Sequence, residues 1–175
     1  VMLYLAIETT SIPLYVLAGF LRTDDKSTEA GFKYLLFGAL TSTVMLYGFS
    51  LLYGFTGTTD IYGLGNMIQA GAMPLGLTLG VIFLLIVGLG FKVSIVPFHF
   101  WAPDVYEGAP LPITAFLSVA SKAGGFAMMI RFFKITFIDA DAGVLTAGTW
   151  ATMQGFRWVD LVAVIAVLTM TVGNL

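Results

Sequence analysis

Long apolar runs, separated by short polar stretches, dominate the pattern of this chain. Each run approaches the ~20 residues that an α-helix needs to cross ~30 Å of hydrocarbon. Barrel strands are excluded because "LGVIFLLIVGLGF" does not alternate, and a spanning helix satisfies its own backbone hydrogen bonds. We therefore predict one all-α, polytopic transmembrane domain. Its membrane helices are predicted at residues 1–21, 32–55, 75–102, 112–137 and 158–175.

The composition narrows the possible functions. Apolar residues make up 58% of the chain and charged residues 10%, against roughly a quarter charged in soluble domains. The net charge of −2 gives no basic surface for nucleic acid. The absence of cysteine excludes disulfides and iron–sulfur ligation, and the single histidine cannot build a structural metal site alone. We expect no metal or cofactor in this chain, and we expect it to be a piece of a longer protein because both ends lie inside apolar runs.

The third run is too long for one straight helix across a membrane. Residues 75–102 would extend about 42 Å as a continuous helix. Pro97 removes a backbone hydrogen bond, and Gly88 and Gly90 weaken the helix. We predict that the helix is broken near 90–97, where irregular backbone at depth would line a cavity. The alternative is a simple proline kink.

Four charged side chains are predicted where lipid should be: Glu8, Lys33, Lys92 and Lys122. Each ionised group there costs at least about 2.5–3.5 kcal/mol, so such residues are usually functional. The alternative is a structural ion pair between Glu8 and a lysine that clamps two helices. Lys33 lies nearer the start of its run, where a lysine can extend to water.

The residues around the predicted break carry further candidate chemistry. His99 either joins Trp101 at the membrane interface or acts as a proton carrier, since an imidazole exchanges protons near neutral pH. Asp104 and Glu107 stand beside prolines and are predicted in a rigid surface loop. The small residues of "SVASKAGG" around Lys122 permit close helix approach and leave room for water.

The stretch "GFKVSIVPFHFWAPDVYEGAPLPITAFLSVASK" closely resembles subunit N of bacterial NADH:quinone oxidoreductase, respiratory complex I. It also resembles the matching subunit of the photosynthetic NAD(P)H dehydrogenase-like complex. "LAIETTSIPLYVLAGF", "STEAGFKYLLFGALTS" and "LLYGFTGTTD" match in register, so the resemblance covers nearly the whole chain. It implies a fourteen-helix subunit with two inverted five-helix repeats. This chain would hold the fifth to eighth helices and the start of the ninth.

The resemblance also implies roles for individual residues. The family's Glu of the fifth helix falls on Glu8, and its lysines of the seventh and eighth helices fall on Lys92 and Lys122. Glu8 and Lys92 would form a pair that can separate, which releases a proton from Lys92 toward Lys122. Lys33 matches a sixth-helix lysine whose role is less settled. The 22–31 turn would lie on the cytoplasmic side. The basic residues alone do not decide this orientation, because they are distributed evenly between the two sides.

We therefore expect a proton-translocating membrane-arm subunit that carries no redox centre. NADH, FMN, iron–sulfur clusters and quinone would bind partner subunits of the same complex. The membrane would be a bacterial plasma membrane, or a thylakoid for the photosynthetic relative. Two alternatives stay open: a subunit of a stand-alone multi-subunit cation/proton antiporter, and an architectural membrane subunit whose charged groups only hold helices together.

Overall fold

The computed structural model describes residues 1–137, 152–153 and 156–173. These residues form helices joined by short connections, with one two-residue β-ladder. The helices are α1 (Met2–Ala18), α2 (Asp25–Thr56), α3 (Ile61–Gln69), α4 (Leu75–Val93), α5 (Trp101–Gly108), α6 (Leu111–Ser118), α7 (Ala120–Thr136) and α8 (Trp158–Val172). The strands are β1 (Thr152–Met153) and β2 (Phe156–Arg157), which pair antiparallel. Most of the predicted loop 138–158 lies outside the described residues.

The helix α2 begins seven residues earlier than predicted. The side chain of Asp24 accepts a hydrogen bond of 3.0 Å from the backbone N–H of Lys26, which caps the first turn. The Ser27 hydroxyl donates to the carbonyl of Ala18 at 3.0 Å and ties this turn to the end of α1. Of the predicted polar turn over 22–31, residues 22–24 do lie between the helices, whereas residues 25–31 are helical because Asp24 caps α2.

The helix α3 lies in a segment that the sequence indicated as a Gly-rich connection. The Asp60 carboxylate caps it by accepting from the N–H of Gly63 at 2.9 Å. Leu64 and Ile68, four residues apart, are both buried against the core. A Cβ atom on Gly65 would lie 2.8 Å from the carbonyl oxygen of Ile135, so glycine permits close contact with α7. Tertiary packing therefore overcomes the low helix propensity.

The third predicted span is broken, as expected. The helix α4 ends at Val93 and α5 begins at Trp101, with turns between them that include a cis peptide bond at Val96–Pro97. The prediction of a surface loop for Asp104 and Glu107 was wrong, since both lie on α5. Pro103 does not prevent this helix because it occupies the first turn, where its missing N–H has no partner to lose.

The fourth predicted span is also interrupted, which the sequence did not indicate. The helix α6 ends at Ser118 and α7 begins at Ala120, with Val119 at φ −111° and ψ −70° between them. The Ser118 hydroxyl donates to the carbonyl of Ala115 at 3.0 Å. Such local side-chain bonds compete with regular helical hydrogen bonding and bend helices.

Three helical stretches among the described residues are long and apolar enough to cross a membrane: Asp25–Thr56, Leu75–Val93 and Leu111–Thr136. Met2–Ala18 and Val159–Val172 are shorter apolar helices. Large apolar side chains stand exposed along α2, including Leu36 and Leu40, as expected of a lipid-facing surface. The all-α membrane fold is confirmed, while the bounds of five membrane crossings stay a prediction.

The helix α2 is the centre of the packing, since α1, α3, α4 and α5 all contact it. One buried cluster lies mainly between α2, α3, α4 and α7 and contains Met45, Leu85 and Phe132. A second joins α1, α2 and α5 and contains Tyr34 and Trp101. Phe91 belongs to the second cluster, so the last turn of α4 lies where the two clusters meet.

We predict that Gly31→Ala destabilises the protein because α1 and α2 approach most closely there. A Cβ atom on Gly31 would lie 2.6 Å from the Cα atom of Gly19. The expected loss in the free energy of unfolding is about 1–3 kcal/mol. The matched control is Gly54→Ala on the same helix, where a Cβ atom meets nothing within 4 Å. Thermal unfolding in detergent measures both, and equal effects would contradict the close approach.

Candidate proton-transfer site

The end of α4 is built as a closed cap. The N–H of Ile95 donates to the carbonyl of Gly90 at 3.0 Å, and the N–H of Ser94 donates to that of Phe91 at 3.1 Å. This pair of bonds is the Schellman arrangement, which needs a left-handed residue after the helix. Ser94 takes that role with φ 57° and ψ 46°, an uncommon conformation for a residue other than glycine. Lys92 therefore lies in the last turn of α4, directly before a reversal of the chain.

The side chain of Lys92 reaches from α4 to α1. Its Nζ donates to the hydroxyl of Ser11 at 2.8 Å, and that hydroxyl donates to the carbonyl of Ile7 at 2.7 Å. Ser11 is buried and lies three residues after Glu8, so the two side chains share one face of α1. The Lys92 ammonium is thus held by a neutral hydroxyl one turn from the carboxylate.

Glu8 is held by a different hydroxyl. The Ser42 hydroxyl of α2 donates to its Oε1 at 2.5 Å, and the Tyr4 hydroxyl lies 3.1 Å from Ser42 Oγ. Because the Ser42 proton is given to Glu8, the Tyr4 hydroxyl donates to Ser42. Glu8 and Lys92 line the same small cavity, in which the centre of a water molecule has about 10 Å³ available. That is the lower limit for one water molecule.

Glu8 and Lys92 do not form a direct ion pair here. Within the described part of the chain, the pairs closer than 4.0 Å join Lys26 to Glu107 and Lys33 to Glu29 and Asp104. In the structure Glu8 and Lys92 are therefore separate: Glu8 is hydrogen-bonded to Ser42, and Lys92 to Ser11.

Lys122 binds the end of α4 from the other side. Its Nζ donates to the hydroxyl of Ser94 and lies 3.5 Å from the carbonyl oxygen of Lys92. The approach depends on Gly125, one turn later in α7, where a Cβ atom would lie 2.7 Å from Val93 Cγ1. A cation at the carboxyl end of a helix is favoured by the helix dipole. The Lys122 ammonium is thus bound to the backbone carbonyl of Lys92, at the end of α4, and to the hydroxyl of Ser94, which follows that helix.

Aromatic rings of α5 lie beside the Lys122 ammonium. The ring centroid of Trp101 is 4.7 Å from Nζ, and that of Tyr106 is 5.8 Å away. The Tyr106 hydroxyl is buried and has no hydrogen-bond partner among the described residues. Burial raises the pKa of the Tyr106 phenol, which keeps the ring neutral. Lys122 therefore meets hydroxyl, carbonyl and aromatic groups, and forms no ion pair within the described ranges.

The two remaining candidates lie elsewhere. Lys33 bonds Glu29 at 2.6 Å and Asp104 at 2.5 Å, on a partly exposed surface between α2 and α5. His99 lies between α4 and α5, and its Nδ1 is buried without a hydrogen-bond partner among the described residues. The structure therefore brings Glu8, Lys92 and Lys122 to one region and keeps Lys33 outside it.

Sequence reasoning missed the hydroxyl groups that form hydrogen bonds with the charged residues. Ser11, Ser42 and Ser94 each contact a charged side chain, and none was singled out. The signal available for Ser11 and Ser94 was their spacing: three residues after Glu8 and two after Lys92. Ser42 lies 34 residues from Glu8 along the chain, and nothing in the sequence indicates that contact.

Comparison with known proteins identifies the family. The family model described as NADH:quinone oxidoreductase/Mrp antiporter, TM, matches residues 1–175. The chain belongs to this family. It is 46% identical over 174 residues to "NADH-quinone oxidoreductase subunit N 2" of Chloroherpeton thalassium, covering 99% of this chain and 32% of that protein. It is 48% identical over 176 residues to "NADH-quinone oxidoreductase subunit N" of Moorella thermoacetica, covering 100% and 34%.

Solved structures show the same fold. The chain resembles a chain of respiratory complex I from Thermus thermophilus with bound aureothin at 40% identity and a TM-score of 0.63, covering 73% of this chain and 28% of that one. It resembles a chain of the archaeal membrane-bound sulfane sulfur reductase at 27% identity and a TM-score of 0.72, covering 94% and 30%. The chain spans about a third of the length of its curated relatives. It is an integral membrane protein of the antiporter-like family.

We predict that Ser94→Gly leaves the protein more stable than Ser94→Ala. Both variants lose the hydroxyl that binds Lys122, but only glycine adopts the left-handed conformation without a steric cost. The expected difference in the free energy of unfolding is about 1 kcal/mol in favour of glycine. Thermal unfolding of the two variants in detergent measures it. An alanine variant as stable as the glycine variant would contradict a strained cap.

Proposed function

We propose that this chain is part of a proton-translocating membrane-arm subunit of a NADH:quinone oxidoreductase. The proposal is supported by relatives of 46% and 48% identity that carry the name of subunit N. It is also supported by three ionisable side chains that approach each other within an otherwise apolar bundle. Electron transfer would take place in partner subunits, which would bind NADH, FMN, iron–sulfur clusters and quinone. The subunit would lie in a bacterial plasma membrane, or in a thylakoid for a photosynthetic complex.

The proposed proton path runs from α1 through α4 to α7. Glu8 and Lys92 share a cavity, and Lys122 binds the backbone carbonyl of Lys92. That last contact is the observation that carries the proposal, because it places two half-buried lysines on either side of one helix end. Ser11 and Ser94 each touch one of these lysines, and a hydroxyl can both accept and donate a proton in a hydrogen bond. A water molecule in the cavity would complete the path on the Glu8 side.

A second candidate function is cation/proton exchange in a stand-alone antiporter. The matching family description names Mrp antiporters beside the oxidoreductase, and the site uses no group specific to one of them. The two functions differ in their driving force, since one needs electron transfer to quinone and the other a sodium or potassium gradient. Proton uptake by membrane vesicles with each driving force in turn distinguishes them.

We predict that Lys122→Ala in the full-length subunit lowers proton uptake by about a hundredfold or more, since a positioned proton carrier typically contributes a factor of at least ~10² to a rate. Lys122→Arg should fail as well, because arginine hardly releases its proton. The measurement is NADH-driven proton uptake by inside-out vesicles, beside a check that the complex assembles.

The matched control for this experiment is Lys134→Ala, an exposed lysine on the same helix. It should leave proton uptake unchanged. Full uptake by an assembled Lys122→Ala complex would remove Lys122 from the proton path.

A further inference from the structure

The aromatic face of Trp101 is aimed at the Lys122 ammonium. The 4.7 Å between Nζ and the ring centroid lies inside the ~6 Å range of a cation–π interaction, in which tryptophan is the strongest partner. Tyr106 lies on the same helix at 5.8 Å and packs edge-on against Trp101, with ring centroids 6.1 Å apart. Two rings therefore bound the space that the ammonium occupies.

Trp101 is fixed from two directions. Its Nε1 donates to the carbonyl of Phe91 at 3.1 Å, which ties the indole to the last turn of α4. Its face stacks on Tyr34 of α2 at 4.5 Å, with the ring planes 8° apart. The indole is also almost fully buried, with 2% of its surface exposed. The ring plane beside Lys122 is therefore held by the same helix end that Lys122 binds.

The helix that carries Trp101 is fastened to α2 on its outer side. Glu107 pairs with Lys26 at 2.6 Å, and Asp104 pairs with Lys33 at 2.5 Å. A Cβ atom on Gly108 would lie 2.4 Å from the carbonyl oxygen of Lys26, so the two helices touch at their backbones. This fastening keeps the indole in register with α4, although α5 follows a break in the chain.

An indole face suits a lysine that must carry and release a proton. The face attracts the cation but has no lone pair to take its proton, because the indole nitrogen is a donor only. A carboxylate at the same place would itself accept the proton. With the ring on one side, the hydroxyl that is hydrogen-bonded to Lys122 and can exchange a proton with it is, among the described residues, that of Ser94, on the α4 side.

We propose that Trp101, supported by Tyr106, is the positioning residue that holds the Lys122 ammonium against the end of α4. The inference rests on the proposed relay role of Lys122. It assigns Trp101 no proton of its own.

The test replaces Trp101 in the full-length subunit within the assembled complex and measures NADH-driven proton uptake. Trp101→Leu removes the aromatic face and should lower uptake by about twofold to thirtyfold, the range that corresponds to one cation–π contact. Trp101→Phe keeps a weaker face and should fall between the leucine variant and the parent protein. The control Phe100→Leu removes the neighbouring ring, which contacts Phe37, and should leave uptake unchanged.

A series of fluorinated tryptophans at position 101 separates the aromatic face from packing. Each added fluorine withdraws charge from the face while the N–H group and nearly all of the volume stay. Uptake should fall stepwise along the series if the face holds the ammonium. If the Trp101→Leu complex does not assemble, this series still tests the proposal, because the fluorinated side chains keep nearly the same shape. Uptake that stays level across the fluorinated series would overturn the proposal.

Lys122→Ala, measured in parallel, distinguishes a wrong role for Trp101 from a wrong role for Lys122. Loss of uptake in Lys122→Ala together with a flat fluorinated series means that the relay stands and the role of Trp101 is wrong. Full uptake in an assembled Lys122→Ala complex means that the relay itself is wrong, and the positioning role falls with it.

Discussion

The hydrogen bonding of the last carbonyl groups of α4 is the constraint on which the candidate site depends. A helix that ends inside an apolar bundle leaves carbonyls that need donors, since each unsatisfied buried group costs several kcal/mol. Here the carbonyl of Gly90 accepts from the backbone N–H of Ile95. That of Phe91 accepts from the N–H of Ser94 and from the indole N–H of Trp101. The carbonyl of Lys92 accepts from Lys122. The break is thus stabilised by donors from the cap itself and, at Phe91 and Lys92, from α5 and α7.

This constraint links the backbone to the charged groups. The same ammonium that satisfies a carbonyl of α4 is the group proposed to carry a proton, and the indole beside it also donates to α4. A change in the position of α5 or α7 would therefore alter both the helix end and the surroundings of Lys122. Small movements of packed helices have discrete effects because close-packed interiors resist gradual deformation.

The sequence predicted the existence of the break but not its mechanism. The over-long apolar run and Pro97 located it near 90–97, and the helix ends inside that range, at Val93, before a serine in left-handed conformation. Glu8, Lys92 and Lys122 were identifiable as candidates because charge is rare in apolar runs. Their partners were not, because the contacts of Ser42 and Trp101 depend on the rotation of separate helices about their axes. The same limit hid α3 and the helical state of Asp104.

The choice of serine partners has a chemical consequence for a lysine that changes its charge. A carboxylate accepts hydrogen bonds only, so it favours the ammonium form and binds the neutral amine weakly. A hydroxyl is both donor and acceptor, so Ser11 can accept from the Lys92 ammonium and can donate to the neutral amine after the proton has left. Ser94 offers Lys122 the same pair of states. With hydroxyls as immediate neighbours, each lysine keeps a hydrogen-bond partner before and after proton transfer, so neither lysine nitrogen is left unpaired in either state.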